Sequence, residues 1–295
     1  MTASRRKKIV YLIGTLDIGG AERQIAEIVT RLNRQNFEPK LYCISGSGPL
    51  MPSITQCGIE VTAFNGDQRQ ISMPPLLFTY LRKFLALWRY LKRQQPEIVH
   101  SFMYTPSIYG RITARLTGHP VMITSLRRLE HFKDAKPHYH VLDTFLGDLT
   151  DLILVNSQAV KQDVLQRERS ISEKIRLIYN GVDTQTYKPI NNHAELYPEI
   201  VKKKQEFGIP ATASVVGMIA NLIPSKGCWE FLSAAAEVHR HSPETRFLCI
   251  GRDRGIRGQL EQFRQELGLQ QHLIFTGQVQ NVPEILHLID IQVSA

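Results

Sequence analysis

A glycine-rich turn near the start of the chain has the composition of an anion-binding loop. Residues 14–23 (GTLDIGGAER) follow a short β-branched run and precede a stretch with helical periodicity. Backbone N–H groups at such a helix start can approach an anion closely, because glycine has no Cβ and the helix dipole favours negative charge. We therefore expect Gly19 and Gly20 to contact substrate. The alternative is a tight turn without a ligand.

This turn lacks two well-known phosphate-binding patterns. The dinucleotide pattern G-x-G-x-x-G is absent, and Gly20-Ala21 stands where a P-loop has Lys and Ser/Thr. The turn therefore predicts neither a dinucleotide cofactor nor a P-loop nucleotide site.

A basic segment, residues 81–93 (LRKFLALWRYLKR), combines five basic residues with apolar residues at helical spacing and has no acidic residue. Such a helix can lie on an anionic membrane and bring a lipid-linked acceptor to the protein. The alternative is a helix whose apolar face packs on a sheet while its basic face is solvated.

The formal net charge of +9 is concentrated in the first part of the chain. Residues 1–188 hold 26 Lys and Arg against 16 Asp and Glu, whereas residues 189–295 hold 10 against 11. This excess favours a polyanionic partner, which is a phosphate-bearing substrate, an anionic membrane or nucleic acid. Nucleic acid is the least favoured of the three, because no nucleic-acid-binding module accompanies the charge.

The cysteine spacing and the absence of long apolar stretches predict a cytoplasmic protein, at most peripheral at the inner membrane face. The four cysteines are irregularly spaced, at positions 43, 57, 228 and 249. Carboxylates and histidines do not cluster at metal-ligand spacing in the sequence. We therefore expect no metal and no cofactor.

These segments need elements that bring them together, and the sequence predicts alternating strands and helices in two domains. We expect a complete doubly wound domain over residues 1–188. Its predicted strands are 8–13, 39–44, 59–64, 98–100, 121–124, 152–155 and 175–178. Its predicted helices are 21–33, 75–94, 108–117, 139–149 and 159–167.

Prolines and a lysine triplet break this rhythm, and we predict an interdomain linker over residues 189–209. A second α/β domain, residues 210–295, then ends on a strand. Without a closing helix its sheet would leave apolar surface bare, so we expect this domain to be truncated at its C-terminus. Its predicted strands are 213–219, 246–250, 273–276 and 289–293, and its predicted helices are 228–241, 259–267 and 282–287.

Five short segments along the chain match a known family pattern: GGAERQ (19–24), NGVD (180–183) with YKP (187–189), VGMIANLIPSKG (216–227), LCIG (248–251) and IFTGQV (274–279). In order and spacing they resemble family 4 (group 1) glycosyltransferases, which are retaining enzymes. The resemblance implies the GT-B fold, in which two Rossmann-like domains hold acceptor and donor respectively. It covers nearly the whole chain.

The resemblance implies that the C-terminal domain binds a nucleotide-diphosphate sugar. Lys226, between a predicted strand and a predicted helix, can place its ammonium on a diphosphate at the carboxyl ends of the strands. The alternative is a solvated surface lysine. The family commonly has Arg where this chain has Asn221, and Arg252 is our candidate substitute. Gly277 and Val279 are the other expected contacts.

On the acceptor side, many relatives carry a histidine just after the strand that corresponds to residues 121–124, close to the reacting sugar. This chain resembles the subgroup with an arginine there. The resemblance thus implies Arg127 as a catalytic residue, with His131 as a second candidate and Arg128 as a substrate contact. The alternative is a basic surface loop. A lone strand-end histidine such as His100 is more often structural.

In the family, the second domain normally continues into two glutamates, seven residues apart, that contact the donor sugar and ribose. This chain ends before that point, so we assign the glutamates to no residue. Whether these residues alone are active stays open.

The reaction that the resemblance implies is transfer of a hexosyl group from a nucleotide-diphosphate sugar to a saccharide or lipid-linked acceptor, with retention of configuration. Lys226, with Arg252, would neutralise charge on the leaving diphosphate. Two alternatives are a GT-B sugar-nucleotide epimerase and an inactive sugar-nucleotide-binding fragment.

Overall fold

Two compact units make up the chain, Met1–Gly181 and Val182–Ala295. The computed structural model describes residues 5–64, 76–130, 138–167, 169–188, 193–279 and 281–294. Each unit contains its own sheet, and every strand pairing is parallel. Two α/β domains are therefore present, as the alternating sequence pattern predicts.

The first unit has a seven-stranded sheet in the order β3-β2-β1-β4-β5-β6-β7. The chain moves outward from β1 to β3 and then crosses back to continue on the other side of β1, which makes the β1/β4 junction a topological switch point. The strands are β1 Lys7–Ile13, β2 Phe37–Cys43, β3 Glu60–Ala63, β4 Ile98–Phe102, β5 Val121–Leu126, β6 Leu152–Val155 and β7 Ile175–Leu177. The helices are α1 Gly20–Arg31, α2 Met51–Gln56, α3 Leu76–Gln94, α4 Tyr104–Arg115, α5 His138–Asp148 and α6 Gln158–Arg167.

The central strand β1 is apolar on both faces, so helices pack on both sides of the sheet. Its odd-numbered residues from Ile9 to Ile13 pack in one cluster with α1, whose buried residues include Ile25. Val10 and Leu12 point to the other face and pack in a cluster with Leu87 of α3. Strand periodicity thus determines the three-layer arrangement.

Helix α4 begins in a tight turn at the carboxyl end of β4. Met103 caps it with φ 72° and ψ 169°, a conformation that costs a non-glycine residue about 1–3 kcal/mol. The Met103 N–H donates to the carbonyl oxygen of Ser125 at 3.0 Å. A Cβ on Gly110 would approach Leu12 Cδ1 to 2.8 Å, so a larger residue would force this buried side chain to shift. The start of α4 is thereby fixed at the edge where the strands end.

The second unit has a four-stranded sheet in the order β10-β9-β8-β11. Helix α8 packs against this sheet, with Phe231 and Leu232 in the main cluster. The elements are α7 His193–Glu206, β8 Val215–Ile219, α8 Cys228–His241, β9 Arg246–Ile250, α9 Arg257–Glu266, β10 Leu273–Gly277, α10 Val282–Leu286 and β11 Ile291–Val293.

The predicted linker, residues 189–209, is wrong over most of its length. Helix α7 occupies residues 193–206, and Ile200 and Ile209 pack on the core of the second unit. The buried Lys204 donates from Nζ to the carbonyl oxygen of Ala213 at 2.9 Å, which ties α7 to the chain that enters β8. Lysines and a proline, Pro198, inside the helix disguise its periodicity. The boundary between the units also falls earlier than predicted.

The described residues contain neither a membrane-spanning helix nor a metal-binding group of side chains. None of the helices combines the length and the apolar character that crossing a bilayer needs. Within the same residues, His, Cys, Asp and Glu form no group of three that could hold a metal ion.

One histidine is buried in the first sheet. His100 on β4 is 8% exposed and its Nε2 lies 2.8 Å from Ser125 Oγ. Its ring packs against Phe102, with centroids 4.7 Å apart. Burial, helped by the nearby positive charge of Arg127, lowers the pKa of His100 from 6.5 to about 3. His100 is therefore uncharged at neutral pH, in agreement with a structural role.

Acidification should destabilise the first unit through His100. Because its pKa is lower in the folded than in the unfolded chain, the unfolded chain binds the additional proton between about pH 6.5 and pH 3, and stability falls as the pH decreases through that window. We expect His100→Gln to reduce the acid-induced loss in the free energy of unfolding by about 2 kcal/mol near pH 4.5. Thermal unfolding over a pH series measures it, with the exposed His119→Asn as control. Parallel curves for H100Q and the wild type would contradict the prediction.

Candidate functional site

The predicted acceptor-side residues lie at the carboxyl edge of the first sheet. The glycine turn follows β1, and Arg127 and Arg128 follow β5. Since the strands are parallel, their carboxyl ends meet at one edge. The structure therefore places the turn and both arginines at the same edge. His131, the second catalytic candidate, lies outside the described residues.

Arg127 is fixed by an aromatic ring and an amide. Its Cζ lies 5.0 Å from the centroid of the Phe102 ring, a cation–π contact. Its Nη1 donates to Asn180 Oδ1. The Nε–H is buried and has no hydrogen-bond partner in the described part of the chain. Burial lowers the pKa of the guanidinium, which still stays charged at neutral pH. Arg127 is thus a cation held in one orientation, and its buried Nε–H has no partner among the described residues.

Two asparagines at this edge were missed as site residues. Asn180 follows β7 and accepts from Arg127. Asn156 follows β6; its Nδ2 reaches the carbonyl oxygen of Arg127 at 3.5 Å, and its Oδ1 is buried and has no partner among the described residues. The available signal was position, because both asparagines come just after parallel strands.

The glycine turn differs from the open anion site that the sequence predicts. Gly19 precedes α1 in an extended conformation, with φ −156°. A Cβ there would lie 3.2 Å from Glu22 Cδ, because the Glu22 side chain folds back over the turn. A carboxylate therefore already stands at the positive end of this helix. It would repel an anion, whereas it can accept a hydrogen bond from a hydroxyl. Gly20 is exposed.

A cavity of about 870 Å³ opens beside this turn, at the switch point of the sheet. Its size is that of a small-molecule site. Apolar walls come from α3 and α4, and polar groups come from the strand ends. The lining includes Thr15, Glu22, Ser45, Tyr80, Leu81, Phe84, Met103, Ile108, Tyr109, Ile112 and Arg128.

In the second unit, the loops after three strands are joined by backbone hydrogen bonds. Leu222 N–H donates to the carbonyl oxygen of Arg252 at 2.9 Å, and Gly251 N–H donates to that of Gly277 at 3.0 Å. A Cβ on Gly251 would collide with the backbone of Ala220. The predicted donor contacts Asn221, Arg252 and Gly277 thus belong to one set of loops.

Lys226 ends a short 3₁₀-helix, Pro224–Lys226, and is exposed. Gly227 follows in the left-handed conformation, φ 64°, and α8 begins with no side-chain cap among the described residues. The N–H groups of the first turn of α8 and Lys226 therefore lie next to each other along the chain, and a helix start of this kind can bind a phosphate. Val279 differs, because its half-buried side chain packs on the core of this unit.

The start of α9 carries its own carboxylate. Asp253 Oδ1 accepts from the N–H groups of Gly255, Ile256 and Arg257 at 2.8, 3.1 and 3.1 Å. These hydrogen bonds lower the pKa of Asp253. The N–H groups at the start of α9 are therefore occupied, whereas the start of α8 has no side-chain cap among the described residues and carries Glu230 in its first turn.

Helix α3 contains the basic segment 81–93 and agrees in part with both interpretations of it, packing on the sheet and contact with a membrane. The later half of α3 packs on the first sheet through the buried Leu87 and Leu91. In the earlier half, Phe78, Tyr80 and Leu81 are 51%, 50% and 52% exposed. An apolar surface is thus left beside basic residues.

Comparison with known families and curated proteins gives consistent results. The model of Glycosyltransferase Family 4 matches residues 18–186, and that of Glycosyl transferases group 1 matches residues 213–295. A UDP-Gal:alpha-D-GlcNAc-diphosphoundecaprenol alpha-1,3-galactosyltransferase of Escherichia coli is 25% identical over 93% of this chain and 69% of its own length. A D-inositol 3-phosphate glycosyltransferase of Corynebacterium glutamicum is 23% identical over 89% and 66%. The chain thus spans about two thirds of these relatives.

Solved structures show the fold. HepE of Anabaena, in complex with UDP and glucose, superposes with a TM-score of 0.82 at 21% identity, over 98% of this chain and 74% of that protein. This likeness confirms the predicted GT-B fold class. Since the first family model covers more than half of the residues, the chain belongs to glycosyltransferase family 4.

Proposed function

We propose that this family 4 glycosyltransferase moves a hexosyl group from a nucleotide-diphosphate sugar to a saccharide or lipid-linked acceptor, with retention of configuration. The observation that carries the proposal is the family match over residues 18–186. Two relatives support it: HepE was solved with UDP and glucose, and the E. coli relative is named for a UDP-sugar and a lipid-linked acceptor.

The donor diphosphate binds at the start of α8 in this proposal. Lys226 comes directly before that helix start, and the loop of Arg252 is bonded to the same strand-end loops. These groups stabilise the negative charge that develops on the leaving diphosphate. The proposed reaction therefore needs neither a metal nor a cofactor.

Arg127 contacts the reacting sugar or the acceptor in this proposal. Its guanidinium is held by Phe102 and Asn180, so little side-chain entropy is lost when a ligand oxygen binds. A sugar-nucleotide epimerase would instead need an acid and a base at the sugar. His100 supports that alternative poorly, because it is buried, hydrogen-bonded and uncharged.

Activity assays distinguish the glycosyltransferase from the sugar-nucleotide epimerase and from the inactive sugar-nucleotide-binding protein. With a panel of nucleotide-diphosphate hexoses, we expect release of nucleoside diphosphate that depends on an acceptor and yields glycosylated product. Arg127→Gln should lower kcat by roughly 100-fold or more, since an oriented charge is lost, and should leave nucleotide affinity unchanged. Arg6→Gln, at an exposed position just before β1, is the control. An isomerised donor would favour the epimerase, and binding without turnover would favour a binding protein.

Nucleotide affinity tests the donor site. Lys226→Ala should weaken UDP or GDP binding by about tenfold to a hundredfold, because one charge-assisted contact is lost. Lys202→Ala, an exposed lysine of the same unit, should bind as the wild type does. Calorimetric titration measures both, and unfolding temperatures should be equal because Lys226 is exposed. Equal affinities for the two variants would remove Lys226 from the site.

The proposal includes peripheral contact of α3 with the inner, cytoplasmic face of an anionic membrane. Its half-exposed Phe78 and Leu81 can enter the interface while the exposed Arg82 and Arg89 meet lipid phosphates. The free cysteines of the described residues are consistent with that compartment.

Vesicle co-sedimentation checks this contact. We expect binding to vesicles that contain phosphatidylglycerol, weaker binding to phosphatidylcholine alone, and loss of binding with added salt. The double variant Phe78→Ser and Leu81→Ser should reduce the bound fraction severalfold, since about half of each side chain is exposed. Phe145→Ser, on α5 and 65% exposed, should have no effect. Equal reduction by both variants would argue against a specific face.

A further inference from the structure

The cavity of the first unit has one wall that suits a hydrocarbon better than a sugar. Tyr80, Leu81 and Phe84 line it from α3, and Ile108 and Ile112, one turn apart, line it from α4. A saccharide placed against this wall would bury hydroxyl groups without hydrogen-bond partners, which costs free energy. An apolar chain placed there would gain free energy in proportion to the area it buries.

The other end of the cavity is polar and charged. Arg128 and Ser45 line it, and Lys83 donates from Nζ to Ser45 Oγ at 3.1 Å, so Lys83 lies at the rim. Glu22 and Thr15 also line this end. A ligand that fits both ends has an apolar chain, an anionic group for the two cations, and hydroxyls for the carboxylate.

The cavity opens where the apolar surface of α3 is exposed. Tyr80 and Leu81 line the cavity, yet they are 50% and 52% exposed. They therefore lie at its mouth, next to Phe78. Tyr80 and Leu81 therefore connect the exposed apolar surface of α3 with the lining of the cavity.

From these observations we infer that the cavity binds the first part of the apolar chain of a lipid phosphate or diphosphate, with Arg128 and Lys83 as the cations that its phosphate groups meet. The inference rests on the proposed function and narrows its acceptor to the lipid-linked class. Glu22 and Thr15 are then the groups that meet the hydroxyls of a sugar carried on that lipid.

Binding of farnesyl diphosphate to the whole chain tests the inference without any donor. Calorimetry should show binding by the wild type, and at least tenfold weaker binding of inorganic diphosphate. Ile112→Gln should weaken farnesyl diphosphate binding about tenfold, because apolar contact with the chain is lost. Leu116→Gln, one turn further along the chain at the C-cap of α4 and 59% exposed, is the matched control and should leave the affinity unchanged.

Two further variants keep the test decisive. Leu81→Gln changes a half-exposed residue of the mouth and should weaken binding even if Ile112→Gln fails to fold. Lys226→Ala should keep full affinity, which separates this cavity from the donor diphosphate site. Absence of binding, equal affinity for inorganic diphosphate, or equal effects of the changes at 112 and 116 would each overturn the inference.

The outcomes also separate this inference from the proposed function. Transfer to a free saccharide, with no farnesyl diphosphate bound, would support the transferase and overturn the lipid site. Specific binding of farnesyl diphosphate by an enzyme that transfers to no acceptor would support the lipid site and overturn the transferase.

Discussion

The reversal of strand order at the β1/β4 junction is the constraint on which the first unit depends. Helices that connect β1 to β2 and β4 to β5 must diverge at the carboxyl edge, and the space between them cannot be filled by either connection. Gly110 lets α4 lie close to the sheet, and Met103 accepts a strained conformation to start that helix at the edge. The cavity is the direct result of this topology.

The helices that start at the carboxyl ends of the strands differ in which side chain neutralises the positive end of the helix dipole. Glu22 folds back over the start of α1, and Asp253 accepts three N–H groups at the start of α9. Helix α8 starts after Gly227 with no side-chain cap among the described residues; Glu230 lies in its first turn, and Lys226 adds a positive charge just before it. In the proposed function the diphosphate takes this uncapped helix start, whereas the turn of the first unit favours hydroxyl groups.

Much of this arrangement could be predicted from the sequence, because alternating strand and helix periods leave few topologies for parallel sheets. Strands β6 and β9 and helix α8 have the predicted bounds. Helix α7 was missed because Pro198 and its lysines hide its apolar face, and α2 was missed because six residues give no period. The roles of Glu22 and Asn180 depend on side-chain direction and on contacts between distant segments, which spacing does not encode.

The segment that leaves the first unit is hydrogen-bonded to that unit. Gln24 Nε2 donates to the carbonyl oxygen of Gly181 at 2.7 Å, and Arg127 binds Asn180. The contacts described for Arg127, with Phe102 and Asn180, therefore come from residues before the boundary. In evolutionary terms, recombination at this junction would exchange the second unit and leave these surroundings of Arg127 intact, so the two units can diversify separately.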